Sequence, residues 1–342
     1  MKLIKTVNAV GHILCHDITR IARGETKGPA FRKSHVIKEE DIPLLLSLGK
    51  EDIYIWENEP GMMHENDAAE ALCEICQGAN IGRSEAKEGK IELSALIDGL
   101  FKVNKEKINK INAFGQMVIA ARHGNFPVKT GDALAGVRIV PLTIGENKMS
   151  AVKQLGGGTP ILNVIPFKRK KAGVVTTGNE VFHGRIPDTF TSVIKEKLSE
   201  YGADIAKHVL MRDNHEEITK ACMEMLGIGL ELIICTGGMS VDPNDETPLA
   251  IKNTGARVVT YGAPVLPGSM FMLAYHGDAK VPVIGLPACV MYAGRSIFDL
   301  ILPRIMADDP ISAEDLSLLG QGGLCLSCPQ CVFPNCGFGK GV

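Results

Sequence analysis

The sequence predicts an α/β protein: a mostly parallel sheet with helices on both faces, preceded by a mixed α+β N-terminal region. Three observations carry this. From residue 172 onward short apolar runs alternate with amphipathic stretches, the pattern of strand–helix–strand units in a parallel sheet. Before residue 155 no regular alternation holds. Between the two, Gly156-Gly157-Gly158-Thr159-Pro160 and the basic run Lys168-Arg169-Lys170-Lys171 punctuate the chain. The expected organisation is residues 1–155 as the mixed region, 156–171 as a linker, 172–308 as the α/β domain and 309–342 as a Gly- and Cys-rich tail. The four basic charges are read as a solvated strand entry rather than an anion site.

In the N-terminal region, Ile42, Leu45, Leu46 and Leu48 predict a short helix ended by Gly49, and Asp52 to Trp56 alternates as a strand does. Asn66 or Asp67 is the expected cap of a helix running through Cys76, with Glu70 reaching back to it. Cys73 and Cys76 on that helix read as buried thiols, because no second pair with matching spacing follows. His12 and His16 flank Cys15 at a spacing that would share a helix face, which is weak support for a metal.

In the second region, 172–176 reads as a buried strand. A helix over 189–201 follows, with Val193, Ile194, Leu198 and Tyr201 inward, Asp188 as its cap and Gly202 as its stop. Strands are expected at 204–211, 230–235, 257–260 and 281–286, helices at 215–226 and 290–306, and a short helix before Gly255.

Net charge is −2, from 37 basic and 39 acidic side chains in 342 residues, so there is no broad positive field to attract nucleic acid or an acidic membrane. No stretch approaches the roughly 18 apolar residues of a membrane span, and Lys2 and Lys5 interrupt the N-terminus before a signal-type core develops. A cytoplasmic protein with no nucleic-acid or membrane partner is expected. Ten cysteines in such a chain predict free thiols and metal ligands rather than disulfides.

Ligands of doubly wound sheets bind beyond the carboxyl ends of the strands. Three loops there are distinctive: Thr176-Thr177-Gly178-Asn179-Glu180, Arg212-Asp213-Asn214, and a long one from Thr236-Gly237-Gly238-Met239-Ser240-Val241 through Asp245-Glu246-Thr247-Pro248. Paired glycines after an apolar strand let main-chain amides approach a phosphate, and hydroxyls add donors without charge. Asp245 stands before a helix start marked by Pro248. With Asp213 from the neighbouring loop it supplies hard oxygen ligands for Mg²⁺ bridging protein and phosphate. The plainer alternative is that Asp245 only caps a helix and Asp213 only turns a loop.

These residues carry a resemblance. Thr176-Thr177-Gly178-Asn179-Glu180, then Ile186 and Asp188 before a helix, Thr236-Gly237-Gly238-Met239-Ser240 with Asp245, and Gly285-Leu286-Pro287 together resemble the molybdopterin-binding (Mog-type) domain over about 170–307. That domain is shared by molybdopterin adenylyltransferases and molybdopterin molybdenumtransferases, the gephyrin-like group. Asp245-Glu246-Thr247-Pro248 is similar to the adenylyltransferase form of the loop, Ser240-Val241 to the molybdenumtransferase form. The N-terminal region, with Asp41 to Gly49 leading into a strand, is more similar to the molybdenumtransferase layout.

The resemblance implies a protein of molybdenum cofactor biosynthesis that binds molybdopterin or its adenylate. The implied transferase chemistry is Mg-dependent adenylate cleavage with molybdate insertion. Asp213 and Asp245 correspond to catalytic residues, Asp245 also to a metal ligand. Thr177, Gly178, Glu180, Asp188, Thr236, Gly237, Gly238, Ser240 and Pro287 fall at cofactor-binding positions. A homo-oligomer and a molybdoenzyme or cofactor-assembly partner are expected.

Departures favour a second reading, a non-catalytic carrier or sensor that delivers the cofactor to a partner enzyme. Leu266-Pro267-Gly268-Ser269 stands where molybdenumtransferases usually carry lysines, and Ala288-Cys289-Val290-Met291 replaces their usual turn after Pro287. The sequence also stops too soon after Met306 for their C-terminal β-domain. It carries instead Cys325, Cys328, Cys331 and Cys336 at C-x₂-C-x₂-C-x₄-C, a spacing that predicts Zn or an Fe–S cluster on four thiolates.

Overall fold

The computed structural model describes residues 2–20, 28–55, 60–240, 242, 245–278 and 280–341. Trp56 of the predicted strand and Val241 of the long loop lie outside them. The chain forms two compact units. One comprises residues 1–97, 102–122 and 129–164, the other residues 98–101, 123–128 and 165–342.

The first unit is mixed α+β. Four antiparallel strands, in the order Ile81–Arg83, Lys90–Ala95, Ala133–Ile139 and Met117–Ala121, are covered by the helix Glu65–Cys76. Nearer the N-terminus, Lys2–Lys5 pairs with Asp52–Ile55 around a small core that includes Leu14, Ile18, Phe31 and Leu45. The helix Ile42–Ser47 ends at Gly49 in a left-handed conformation, as its sequence predicts. Other expectations need correction. The cap of helix Glu65–Cys76 is His64, whose Nδ1 accepts from the Asn66 amide, and Glu70 pairs with Arg83. Residues 12–16 are not helical, so His12 and His16 share no helix face. Cys73 and Cys76 are buried, and burial pushes the Cys76 thiol up to about 12.

The second unit is built on a six-stranded sheet with helices on both faces, and it also contains the antiparallel pairing of Phe126–Val128 with residues 99–101. Its elements are β1 (Lys171–Thr177), α1 (Asn179–Phe182), α2 (Phe190–Ser199), β2 (Asp204–Met211), α3 (His215–Gly227), β3 (Leu232–Thr236), α4 (Thr247–Asn253), β4 (Arg257–Tyr261), β5 (Met272–His276), β6 (Val281–Leu286), α5 (Ile297–Met306) and α6 (Ala313–Ser317). Strand order is β2-β1-β3-β6-β5-β4, parallel through β6 and antiparallel from β6 to β4.

Successive residues of a strand point to opposite faces, and the core follows that period. Val174, Leu232, Ile234 and Ile284 meet Ile194, Leu198 and Ile301 on the face of α2 and α5. Val175, Ile233, Cys235 and Val283 meet Ile218, Cys222 and Ile251 on the face of α3 and α4. Burying each large aliphatic side chain contributes about 1.5–3 kcal/mol.

Three features of this unit differ from expectation. Met272–His276 is a strand that the apolar run 271–275 signals but that the alternating pattern passes over. The helix predicted over 290–306 is broken. A short 3₁₀ turn at Ala288–Met291 is followed by a fresh start at Ser296, which forms a capping box with Asp299. The basic run is not simply solvated, since Lys168 and Lys170 both pair with Asp308, at 2.6 and 2.5 Å, and Lys170 is buried.

Residues beyond α5 fold onto the same unit. Leu266 donates its amide to Gly323 O and accepts the Cys325 amide, each at 2.8 Å, and Phe338 is buried in the core under α5. Among the described residues, no helix is long and apolar enough to cross a membrane.

Candidate functional site

Parallel strands deliver their carboxyl ends to one edge of the sheet, and β1, β2, β3 and β6 therefore place residues after 177, 211, 236 and 286 side by side. Strand β5 runs the opposite way, so the segment before it, residues 266–270, arrives at the same edge. Together they enclose a cavity of about 630 Å³, within the usual size of a small-molecule site. Thr177, Gly178, Glu180, Asp188, Asp213, Gly237, Gly238, Ser240, Asp245 and Pro287 all line it. Thr236 does not. It is fully buried at the end of β3, and its hydroxyl is without a hydrogen-bond partner among the described residues.

The paired glycines are required by geometry. Both adopt left-handed conformations, with φ of 86° at Gly237 and 55° at Gly238. A Cβ on Gly237 would stand 2.3 Å from Thr177 O, and one on Gly238 2.9 Å from Thr247 Oγ1. The buried Thr247 hydroxyl donates to Gly237 O at 2.9 Å and lies 3.3 Å from Thr177 Oγ1, fastening the loop to the end of β1. Glycine is thus needed here for close packing of two loops as well as for amide access.

The carboxylates divide into two kinds. Asp188 is a structural anchor as well as a lining residue. Its Oδ1 accepts the amides of Phe190 and Thr191 at the start of α2, and its Oδ2 takes the Thr191 hydroxyl at 2.5 Å and lies 3.3 Å from His208 Nε2. Asp213 and Asp245 instead shape the mouth. Asp213 accepts the Asn179 amide at 3.0 Å, and Asp245 accepts the Ser240 amide at 2.7 Å, closing its own loop. Burial, with the charges of Glu180 and Asp245 nearby, pushes the Asp213 carboxyl up, against the Asn179 amide that pulls it down. Like charges are therefore crowded at this end.

No lysine, arginine or histidine is among the described lining residues, while four acidic side chains are. Much of the rest of the wall, including Ile186, Phe190, Leu266, Met270, Cys289 and Met291, is apolar or sulfur-bearing, with hydroxyls from Thr177, Thr189, Ser240 and Ser269. Sequence reasoning left Ile186, Leu266 to Ser269 and Ala288 to Met291 as points of likeness or departure, yet Ile186, residues 266–269, Ala288, Cys289 and Met291 form wall; Met270 and Phe190 carry no motif that would have found them.

The oxygen donors of Asp213, Glu180 and Asp245 suit Mg²⁺, which is usually held by one or two carboxylates with phosphate oxygens and water completing the shell. Among the described residues no three His, Cys, Asp or Glu side chains converge closely enough to hold an ion unaided. The same holds for the tail, where the four cysteines do not come together. Cys325 and Cys336 pack as partly buried fillers against the core, whereas Cys328 and Cys331 are exposed. Their arrangement does not fit a tetrahedral Zn site or an Fe–S cluster within this chain.

Residues 3–57 match a domain of unknown function, and residues 173–307 match the family described as "Probable molybdopterin binding domain". A CinA-like protein of Fusobacterium nucleatum is 36% identical over 81 residues, 24% of this chain and 20% of that protein. A molybdopterin molybdenumtransferase of Synechococcus elongatus is 21% identical over 180 residues, 50% of this chain and 42% of that protein. The chain spans less than half the length of these curated relatives. Among solved structures, the molybdopterin biosynthesis enzyme MoaB of Thermus thermophilus aligns at 22% identity and a TM-score of 0.32, over 40% of this chain and 91% of that one. The glycine loop and the carboxylates thus lie within the segment that matches the molybdopterin-binding domain model, which covers less than half of the chain.

Proposed function

We propose that the cavity binds molybdopterin or its adenylate with the phosphate at the Gly237-Gly238 loop, where Asp213 and Asp245 would hold Mg²⁺. The crowding of three carboxylates around a glycine loop, with no basic side chain among the described lining residues, is the observation that carries this reading. Such a pocket repels a bare phosphate: two like unit charges about 5 Å apart cost about 3 kcal/mol at an effective dielectric near 20. A divalent cation reverses the sign of that interaction. When bound, Mg²⁺ would neutralise charge on the phosphates during cleavage of the adenylate. This chain's own groups orient it: the Asn179 and Ser240 amides fix one oxygen each of Asp213 and Asp245, and Thr247 fixes the glycine loop.

The reaction we assign is Mg-dependent hydrolysis of adenylated molybdopterin, in which water adds to one phosphorus of the pyrophosphate link, the bond to the bridging oxygen breaks, and molybdopterin and AMP are the products. Asp245→Asn should lower turnover by about 100-fold or more while leaving the melting temperature within a few degrees; unchanged turnover would remove Asp245 from the chemistry. The absence of basic lining also supports the second reading, a carrier or sensor. Insertion of molybdate, itself a dianion, gains no positive group from the described wall. Tight binding without turnover of the adenylate would select the carrier.

A further inference from the structure

Asp213 and Asp245 sit on separate loops, one entering α3 and the other entering α4, and their charges repel. Something must hold those loops together. Glu246 adjoins Asp245 in sequence and does not line the cavity. Its carboxylate reaches across to the other loop, where Oε2 accepts the His215 backbone amide at 2.5 Å and lies 2.8 Å from His215 Nδ1. His215 opens α3 just beyond Asp213 and Asn214. Farther along the same pair of helices, Thr219 Oγ1 donates to Ala250 O at 3.1 Å, so the bridge at the loops continues a seam between α3 and α4.

We infer that Glu246 is a positioning residue for the cation site: bridging to His215, it ties the loop of Asp213 to the loop of Asp245 and sets how closely the two carboxylates stand. The inference rests on the pocket being a cation-assisted phosphate site. A carboxylate pair held at fixed spacing takes up Mg²⁺ without first reorganising two loops, while a pair on loosened loops relaxes apart under its own repulsion. The bridge acts on cation uptake rather than on contact with the pterin.

The test is equilibrium binding of adenylated molybdopterin to the full chain as a function of Mg²⁺, with thermal melting alongside. For Glu246→Ala, the Mg²⁺ concentration giving half-maximal binding should rise about tenfold, while affinity measured without Mg²⁺ changes by less than about twofold. Glu246→Gln keeps an oxygen to accept the His215 amide and should recover most of the loss. A Glu246→Ala curve that superimposes on wild type, or a Gln variant as impaired as the Ala variant, would overturn the inference, as would a lowered melting temperature with unaltered Mg²⁺ dependence. Wild-type protein that binds the adenylate equally well with and without Mg²⁺ would overturn the site reading itself, a distinguishable failure.

Discussion

Two regions of the second unit invite comparison. Asp213 and Asp245 are distant in sequence yet line one cavity, whereas Cys325, Cys328, Cys331 and Cys336 are neighbours in sequence and do not converge. The difference lies in what positions each set. Adjacent parallel strands β1, β2 and β3 force their following loops to one edge, so the carboxylates meet whatever their separation along the chain. The cysteines lie on irregular backbone whose path is set by other contacts: the Leu266 pairing, the tilted Phe126–Phe333 contact at 5.8 Å, and Phe338 in the core. Ligand spacing in a sequence states what a loop could do; the elements around it decide what it does.

The sharpest way to break this comparison is to disable both regions in parallel. Asp213→Asn with Asp245→Asn should abolish Mg-dependent cleavage, a loss of about 100-fold to 1000-fold. Cys328→Ser with Cys331→Ser should leave cleavage within about twofold, as expected of groups that share no contact with the site. Metal analysis of anaerobically prepared protein gives the complementary test. One Zn or iron centre per chain, lost in the cysteine double variant, would contradict the contrast drawn here.

A smaller effect concerns stability. A carboxyl whose folded pKa lies above its unfolded value binds its proton more tightly in the folded chain, so it favours folding at low pH and opposes it as pH rises through the folded value. Asp213 is such a group. Replacing it with Asn should therefore raise the melting temperature by about 1–4 °C at pH 7, and the gain should disappear as pH falls below the ordinary carboxylate range. A gain that persists undiminished at acid pH would show that its charge is not the cause.

Much of this was legible in the sequence. The glycine loop, Asp213, Asp245 and the Asp188 cap are identified by strand–loop–helix punctuation, and all lie at the predicted edge. What escaped was set by tertiary context. The apolar run 271–275 lacks alternation because it is buried on both faces, and missing it hid why residues 266–270 reach the pocket. The helix predicted from residue 290 breaks because Ser296 caps a new start, a local hydrogen bond that outweighs apolar continuity. Lys170 leaves solvent because Asp308, far along the chain, pairs with it.

The smallest expected effect marks the boundary of the site. Thr236 is fully buried, its hydroxyl without a partner among the described residues, so Thr236→Val should leave ligand affinity within about twofold and stability unchanged or up by about 1 kcal/mol. A marked loss of affinity would move Thr236 from behind the wall into contact with ligand.

The most direct measurement is the affinity of the full chain for adenylated molybdopterin in the presence and absence of Mg²⁺. A carboxylate-lined pocket that relies on a cation predicts at least about tenfold tighter binding with Mg²⁺, and loss of that difference in the Asp213→Asn, Asp245→Asn protein. Equal affinity in both conditions, or no binding in either, would contradict it.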